Sequence, residues 1–119
     1  MAAPNLKSPT AIYGKTARYA VGSGLATAIS GVPSGTVYKV NSIFCANVAN
    51  PDAAVDISVS IYDGATDYYI ARTIAVPADA TQILSTKETY FYLEEGDSLR
   101  ATANAASGVV LVVGYEEIS

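Results

Sequence analysis

The side chains that could do chemistry in this chain are carboxylates, tyrosines and a single cysteine, since its 119 residues include no histidine. Without histidine the chain lacks the commonest general base and metal ligand, together with every catalytic triad that depends on one. No other side chains form a credible pair of nucleophile and base. We therefore predict no catalytic residues and no enzymatic activity.

Two acidic segments are candidates for a cation site. Asp63 and Asp67 flank a short loop and could present oxygens to calcium, and residues 94–97 place acids around Gly96. The first segment lacks the length and ligand count of an EF-hand loop. Acids at such positions ordinarily make the hydrogen bonds of turns. We predict two turns between strands and no bound metal, with calcium at the first as the alternative.

Two further segments have ordinary structural explanations. Cys45 has no second cysteine with which to pair and lies in an apolar run, which favours a small buried hydrophobic side chain over a reactive thiol. The Gly-Ser-Gly segment at 22–24 lacks the lysine of a phosphate-binding loop and the third glycine of the dinucleotide motif, so we predict a plain loop. The sequence predicts no cofactor.

Charge limits the partners of this chain. The formal net charge is −4 and the seven Lys and Arg residues do not cluster, which argues against a nucleic-acid partner because phosphate binding needs a basic surface. Charged residues make up 15% of the chain, below the roughly 25% of typical soluble domains. This shortage favours a surface partly covered by protein partners over one that is merely neutral.

The sequence also bears on location. No apolar stretch approaches the roughly 18 residues of a membrane span, so we expect no membrane partner. The first ten residues lack the basic leader and apolar run of a secretory signal. We therefore expect synthesis in the cytoplasm.

The rest of the sequence is organised as short β-rich segments between turn signals. Segments dense in Val, Ile, Tyr and Thr cover residues 36–48, 55–62, 68–76, 82–85, 89–93, 98–103 and 109–118, with a weaker one around 17–21 or 25–29. Turn residues lie at 33–35, 50–52, 63–64, 77–79, 95–97 and 104–108. About eight strands without helices predict an all-β fold, an antiparallel β-sandwich of jelly-roll type. An immunoglobulin-like domain is the alternative.

The N-terminal residues differ from the rest of the chain. Pro4, Pro9 and Gly14 break regular structure, and apolar residues are sparse over this stretch. We predict an extended N-terminal arm over residues 1–16, either disordered or laid across a partner. Residues 17–119 are then a single β-sandwich domain.

One arginine needs an explanation. In residues 55–61 β-branched side chains alternate with small polar ones, so one face of that strand is buried. A hairpin loop at 63–66 sets a register in which Arg72 lies opposite Ile57, on the apolar face. Because an unpaired buried guanidinium is costly, Arg72 either reaches water at the rim of the sandwich or pairs with a carboxylate of this chain or of a neighbouring subunit.

Apolar side chains on both sides of some strands indicate an interface. Aromatic residues point to both faces of 89–93, and 109–115 is apolar without alternation. This pattern buries more than a single sandwich core requires, which favours assembly. We predict that Tyr68, Arg72, Tyr90 and Tyr92 lie in an interface. As an alternative, exposed tyrosines could form a platform for sugar rings.

Three segments carry a resemblance to a known class of proteins: Val37–Asn47, residues 67–71 and residues 92–99. They resemble small β-sandwich structural proteins of tailed bacteriophage virions, of the head decoration or cement type. The resemblance covers most of the chain from about residue 33 onward. It implies a non-enzymatic virion protein that is made in the host cytoplasm and repeated many times on the particle.

Within this class the resemblance implies two roles. A cement protein would bind over contacts between major capsid protein subunits, commonly as a homotrimer, and would stabilise the head. A tail, baseplate or fibre-associated module would instead contact other virion proteins and serve assembly or host attachment. A carbohydrate-binding module is the alternative from a different class.

Overall fold

The computed structural model describes residue 4 and residues 6–48, 54–104 and 109–119. The turn predicted at 50–52 and most of the one at 104–108 lie outside the described residues. Within them are nine strands, β1 (Ile12–Val21), β2 (Ala26–Ile29), β3 (Val37–Asn47), β4 (Val55–Tyr62), β5 (Asp67–Val76), β6 (Thr81–Ser85), β7 (Phe91–Leu93), β8 (Ser98–Ala103) and β9 (Val109–Ile118), and a short 3-10 helix at Lys87–Thr89. No helix in these ranges is long and apolar enough to cross a bilayer.

The strands form two antiparallel sheets. The first has the order β1-β9-β3-β6, with β7 also paired to β3, and the second has the order β2-β8-β4-β5. Apart from β7, the pairs β1–β9, β2–β8, β3–β6 and β4–β5 are nested around the β4–β5 hairpin, which is the pairing of a jelly roll. The predicted antiparallel β-sandwich is thus confirmed. The strand count reaches nine because both weak segments, 17–21 and 25–29, lie in strands.

The core lies between the two sheets. Many of its largest fully buried side chains come from the central strands of both: Val40, Ile43, Leu111 and Val113 from the first sheet, and Ile57, Val59 and Leu99 from the second. Full burial of one such side chain contributes about 1.5–3 kcal/mol. Cys45 is also wholly buried, as predicted, and burial raises the pKa of its thiol to about 12.

β1 begins inside the range that we predicted as an arm. Ile12 pairs with Ile118 and Val21 with Val109, so the whole strand lies along β9. Beyond its first residue, the Ser119 N–H donates to the Ala11 carbonyl at 2.9 Å. Residues 12–16 therefore belong to the first sheet. The division into an arm and a single domain otherwise stays a prediction.

β5 departs from the register predicted for the hairpin. Ile61 lies opposite Tyr68 as expected, but two register shifts follow, and Ile57 lies opposite Ile74. The prediction that Arg72 lies opposite Ile57 on the apolar face is therefore wrong. Extra residues in β5 form bulges that turn Arg72 outward to an exposed position.

Thr73 is the residue that makes the second bulge possible. Its φ of 55° lies in the left-handed region, which β-branched residues rarely adopt. Its N–H donates to Ser58 Oγ at 2.9 Å. A side chain of the neighbouring strand thus satisfies the polar group that the bulge releases.

Candidate interface

The outer face of the second sheet carries a polar network. Arg100 Nη2 donates to Asp67 Oδ2 at 3.0 Å, and Ser60 Oγ donates to Asp67 Oδ1 at 2.9 Å. The Tyr62 ring lies against the guanidinium, with 4.0 Å from Arg100 Cζ to the ring centroid. Ser60 is fully buried beneath this network although it faces outward. The polar groups of this face are therefore largely engaged within the chain.

The acids considered for calcium have protein partners. Asp63 Oδ1 accepts hydrogen bonds from the N–H groups of Thr66 at 2.8 Å and Ala65 at 2.9 Å. These bonds, that of Thr66 foremost, hold the pKa of the Asp63 carboxyl below its ordinary value. Asp67 is paired with Arg100. Among the described residues no three histidine, cysteine or acidic side chains come together as a metal site.

The other segments weighed for chemistry are a turn and a loop. The Glu94 N–H donates to Asp97 Oδ2 at 2.9 Å, and the Asp97 N–H donates to the Glu94 carbonyl at 2.9 Å. Gly96 between them has a φ of 85°. The turn predicted here is confirmed, as is the loop at 22–24, which connects β1 and β2.

The outer face of the first sheet carries two rows of mainly apolar side chains. One row crosses β6, β3, β9 and β1 in the order Ile83, Phe44, Val112 and Arg18, each residue opposite the next in the register. The adjacent row is Thr81, Ala46, Val110 and Ala20. We call these two rows the apolar face.

Strand alternation explains the apolar face. Cys45 and Leu111 point into the core, so their neighbours Phe44 and Val112 point outward. Ile83 is 51% exposed and Phe44 is 36% exposed. Arg18 is the charged member of the two rows, and it makes no ion pair with any residue in the described ranges. Large apolar side chains thus meet solvent beside Arg18, a cation without an acidic partner among the described residues.

Two of the predicted interface residues come together. The rings of Tyr90 and Tyr92 pack edge to face, with centroids 5.7 Å apart. Lys39 Nζ lies over the Tyr90 ring, 4.3 Å from its centroid. Tyr92 lies opposite Lys39 in the β7–β3 register, so this cluster shares the outer side of the first sheet with the apolar face.

The other two lie on β5, at the edge of the second sheet. Tyr68 is 59% exposed. The Arg72 guanidinium packs over the ring of Tyr69, with 4.8 Å from Cζ to the centroid, and it makes no ion pair with a described residue. The structure therefore divides the predicted residues between the two sheets. Their role in an interface stays a prediction.

Sequence reasoning missed Phe44 and Ile83 as candidate interface residues. The available signal was the run 109–115, whose outward residues are as apolar as its inward ones. That run predicted a strand covered on both sides, but it gave no indication of which strands lie beside it. The register supplies those neighbours.

Comparisons with known proteins show similarity in structure. No family model and no curated protein matches the sequence. The fold is similar to a chain in the acidic stable capsid structure of Helicobacter pylori bacteriophage KHP30, with a TM-score of 0.58 and 17% identity, over 94% of this chain and 90% of that chain. At this identity the likeness shows a shared fold along nearly the full length of both chains.

Two crystal structures of a pentameric capsid protein isolated from metagenomic phage sequences are more distant. Their TM-scores are 0.42 and 0.44, at 18% and 19% identity. The matches cover 87% of this chain in both cases, and 60% and 67% of those chains.

Proposed function

We propose that this chain is a structural protein of a bacteriophage virion, and within that class a capsid decoration (cement) protein. It binds over contacts between major capsid protein subunits and stabilises the head. The observation that carries the proposal is the fold shared over 94% of this chain and 90% of a chain in a phage capsid structure. The two chains are therefore close in size.

The surface chemistry supports a role in assembly. Contiguous exposed apolar patches on soluble proteins mark interaction sites, and Phe44 and Ile83 form such a patch on the outer side of the first sheet. The proposed oligomer is a homotrimer. Three copies held together would present three binding surfaces at once, which raises the affinity for a repeated shell without any new contact.

Charge supports a position outside the shell. The chain has a net charge of −4. Packaged nucleic acid repels it, because the phosphate backbone is also negatively charged. The protein is proposed to be made in the host cytoplasm and to join the virion there. It has no proposed enzymatic activity.

The copy number of the chain on purified particles tests this function. We expect the chain in particles of the phage that encodes it, at a copy number comparable to that of the major capsid protein, as measured by quantitative mass spectrometry. Heads separated from tails are the matched control and should retain it.

Other results would change the assignment. A copy number as low as that of tail subunits, with loss from isolated heads, would favour a tail, baseplate or fibre-associated module. Absence from particles together with binding on a glycan array would favour a carbohydrate-binding module. That second function has less support, since Tyr68 lies on the second sheet and Tyr92 on the first, so the tyrosines do not form one platform.

A further inference from the structure

We propose that the apolar face is the surface through which this chain docks onto the capsid shell. The partner is a shell protein that presents an apolar surface bordered by a carboxylate. The inference rests on the proposed function, which requires a docking surface but does not say which one. Its support comes from the chemistry of the two outer faces.

The apolar face is continuous and lies on a rigid support. Its residues come from four neighbouring strands of one sheet, and the central strands β3 and β9 bury their opposite side in the core. Val48, 62% exposed, follows Phe44 and Ala46 on the outward positions at the end of β3. A partner would therefore meet a preformed surface, which reduces the entropy lost on binding.

The opposite outer face is less suited to this role. There Asp67 accepts from both Arg100 Nη2 and Ser60 Oγ, although the buried Nε of Arg100 has no partner among the described residues. A partner on that side would have to replace bonds that the chain already makes. On the apolar face, by contrast, burial of Phe44 and Ile83 removes apolar surface from water without breaking a polar contact.

Arg18 identifies the chemistry of the occupant. It lies at the β1 end of the row and has no carboxylate partner in the described residues. On the same side of the sheet, Glu116 lies four residues along β9 from Val112, about 13 Å away, and is opposite Lys39 in the register. The apolar face thus offers no acid to Arg18.

This arrangement disfavours a second copy as the occupant. Two copies packed apolar face to apolar face would bring two Arg18 side chains to one contact with no acid from either set of rows to pair them, and like charges brought together oppose association. A different protein with Asp or Glu at the rim of an apolar surface satisfies the guanidinium. We therefore assign the face to the shell and not to self-association.

Binding to particles that lack this chain tests the inference. The probe is a purified particle of the encoding phage, produced with the coding sequence of this chain deleted, and bound protein is measured by co-sedimentation. We expect wild-type chain to bind, and Phe44→Thr with Ile83→Thr to weaken binding about tenfold or more, as loss of central apolar contacts does. Arg18→Glu should also weaken it.

The matched control is Tyr69→Thr, which removes a 42% exposed aromatic side chain from the outer face of the other sheet. It should bind as wild type does. Threonine is the replacement because it is favoured in strands. The thermal melt of each variant verifies that it folds. Arg18→Glu provides a second test that leaves the apolar side chains in place.

The outcomes separate the two proposals. If wild-type chain fails to bind, both proposals are overturned. If wild type binds and the Phe44 and Ile83 variant and Arg18→Glu bind equally well, the docking face is wrong while the proposed function stands. Self-association of the isolated chain that the Phe44 and Ile83 variant abolishes would assign the face to a second copy and overturn the inference.

Discussion

At the scale of single residues, Gly96 sets the turn between β7 and β8. Its φ of 85° lies in a region that costs an L-residue with a side chain about 1–2 kcal/mol. The hydrogen bonds between Glu94 and Asp97 close the turn around it. The conformation is therefore held from both sides and cannot relax to suit a larger residue.

Gly96→Ala should lower the free energy of unfolding by about 1–2 kcal/mol, as measured by urea denaturation. Gly24→Ala is the control, because Gly24 has no left-handed φ and no heavy atom within 4 Å of an added Cβ. We expect that variant to be neutral or slightly stabilised, since alanine restricts the unfolded chain. Equal destabilisation of the two variants would contradict the role of the φ angle.

At the scale of elements, β5 is held in its bulged form at a cost. Thr73 adopts the left-handed region at a φ of 55°, where a β-branched side chain is strained. The bulge nevertheless directs Arg72 outward and keeps the core side of the hairpin apolar. Bulges of this kind also make an edge strand a poorer template for pairing with other chains.

Thr73→Asn should raise the free energy of unfolding by about 1 kcal/mol, because asparagine tolerates the left-handed region better than threonine. The backbone N–H that donates to Ser58 Oγ is retained in this variant. Thr27→Asn, the same change at an exposed position of β2, should lower stability, since asparagine is disfavoured in strands. Thermal melts of the two variants should thus shift in opposite directions.

The sequence predicted the elements better than their arrangement. Residues 55–62, 98–103 and 109–118 were placed correctly because their β-branched and apolar patterns are local properties. The bulges could not be predicted from local patterns, because the position of a bulge depends on which strand lies alongside. This applies to Asn41, the extra residue between Val40 and Ser42, and to Thr73. The strand register, and with it the position of Arg72, could therefore not be predicted from the sequence.

Prediction of the candidate interface depended even more on the pairing of strands that are distant in sequence. Phe44, Ile83 and Val112 come from β3, β6 and β9, and only the register makes them neighbours. Composition did indicate unusual burial beyond one core. Tyrosines were predicted in the interface because aromatic residues are enriched at interfaces. Composition did not indicate to which sheet each tyrosine belongs.

At the scale of the whole molecule, the two sheets form a slab. The Cα atoms extend 49 × 27 × 18 Å, so the outer faces of the sheets are its broad surfaces. One carries the network of Arg100, Asp67 and Ser60, and the other carries the apolar face. The core between them encloses Cys45, whose thiol has a pKa raised to about 12 by burial.

Cys45 should react with a thiol reagent only when the whole domain opens. We expect labelling at pH 8 to be about a thousandfold or more slower in the native chain than in denaturant. Core side chains become accessible to a reagent mainly through global unfolding. The labelling rate is measured from the change in absorbance as a disulfide reagent exchanges with the Cys45 thiol. Cys45→Ala, which should give no signal, is the control. Rapid labelling of folded protein would show that the two sheets separate locally.

The pairing of β1 with β9 affects how each copy is produced. β9 lies between β1 and β3 in the first sheet, so a nascent chain on the ribosome cannot form that sheet until β9 has been translated. Until then β1 has no neighbour and its hydrogen-bonding edge is open, a state prone to aggregation. A copy therefore becomes competent for assembly only after β9 has been translated.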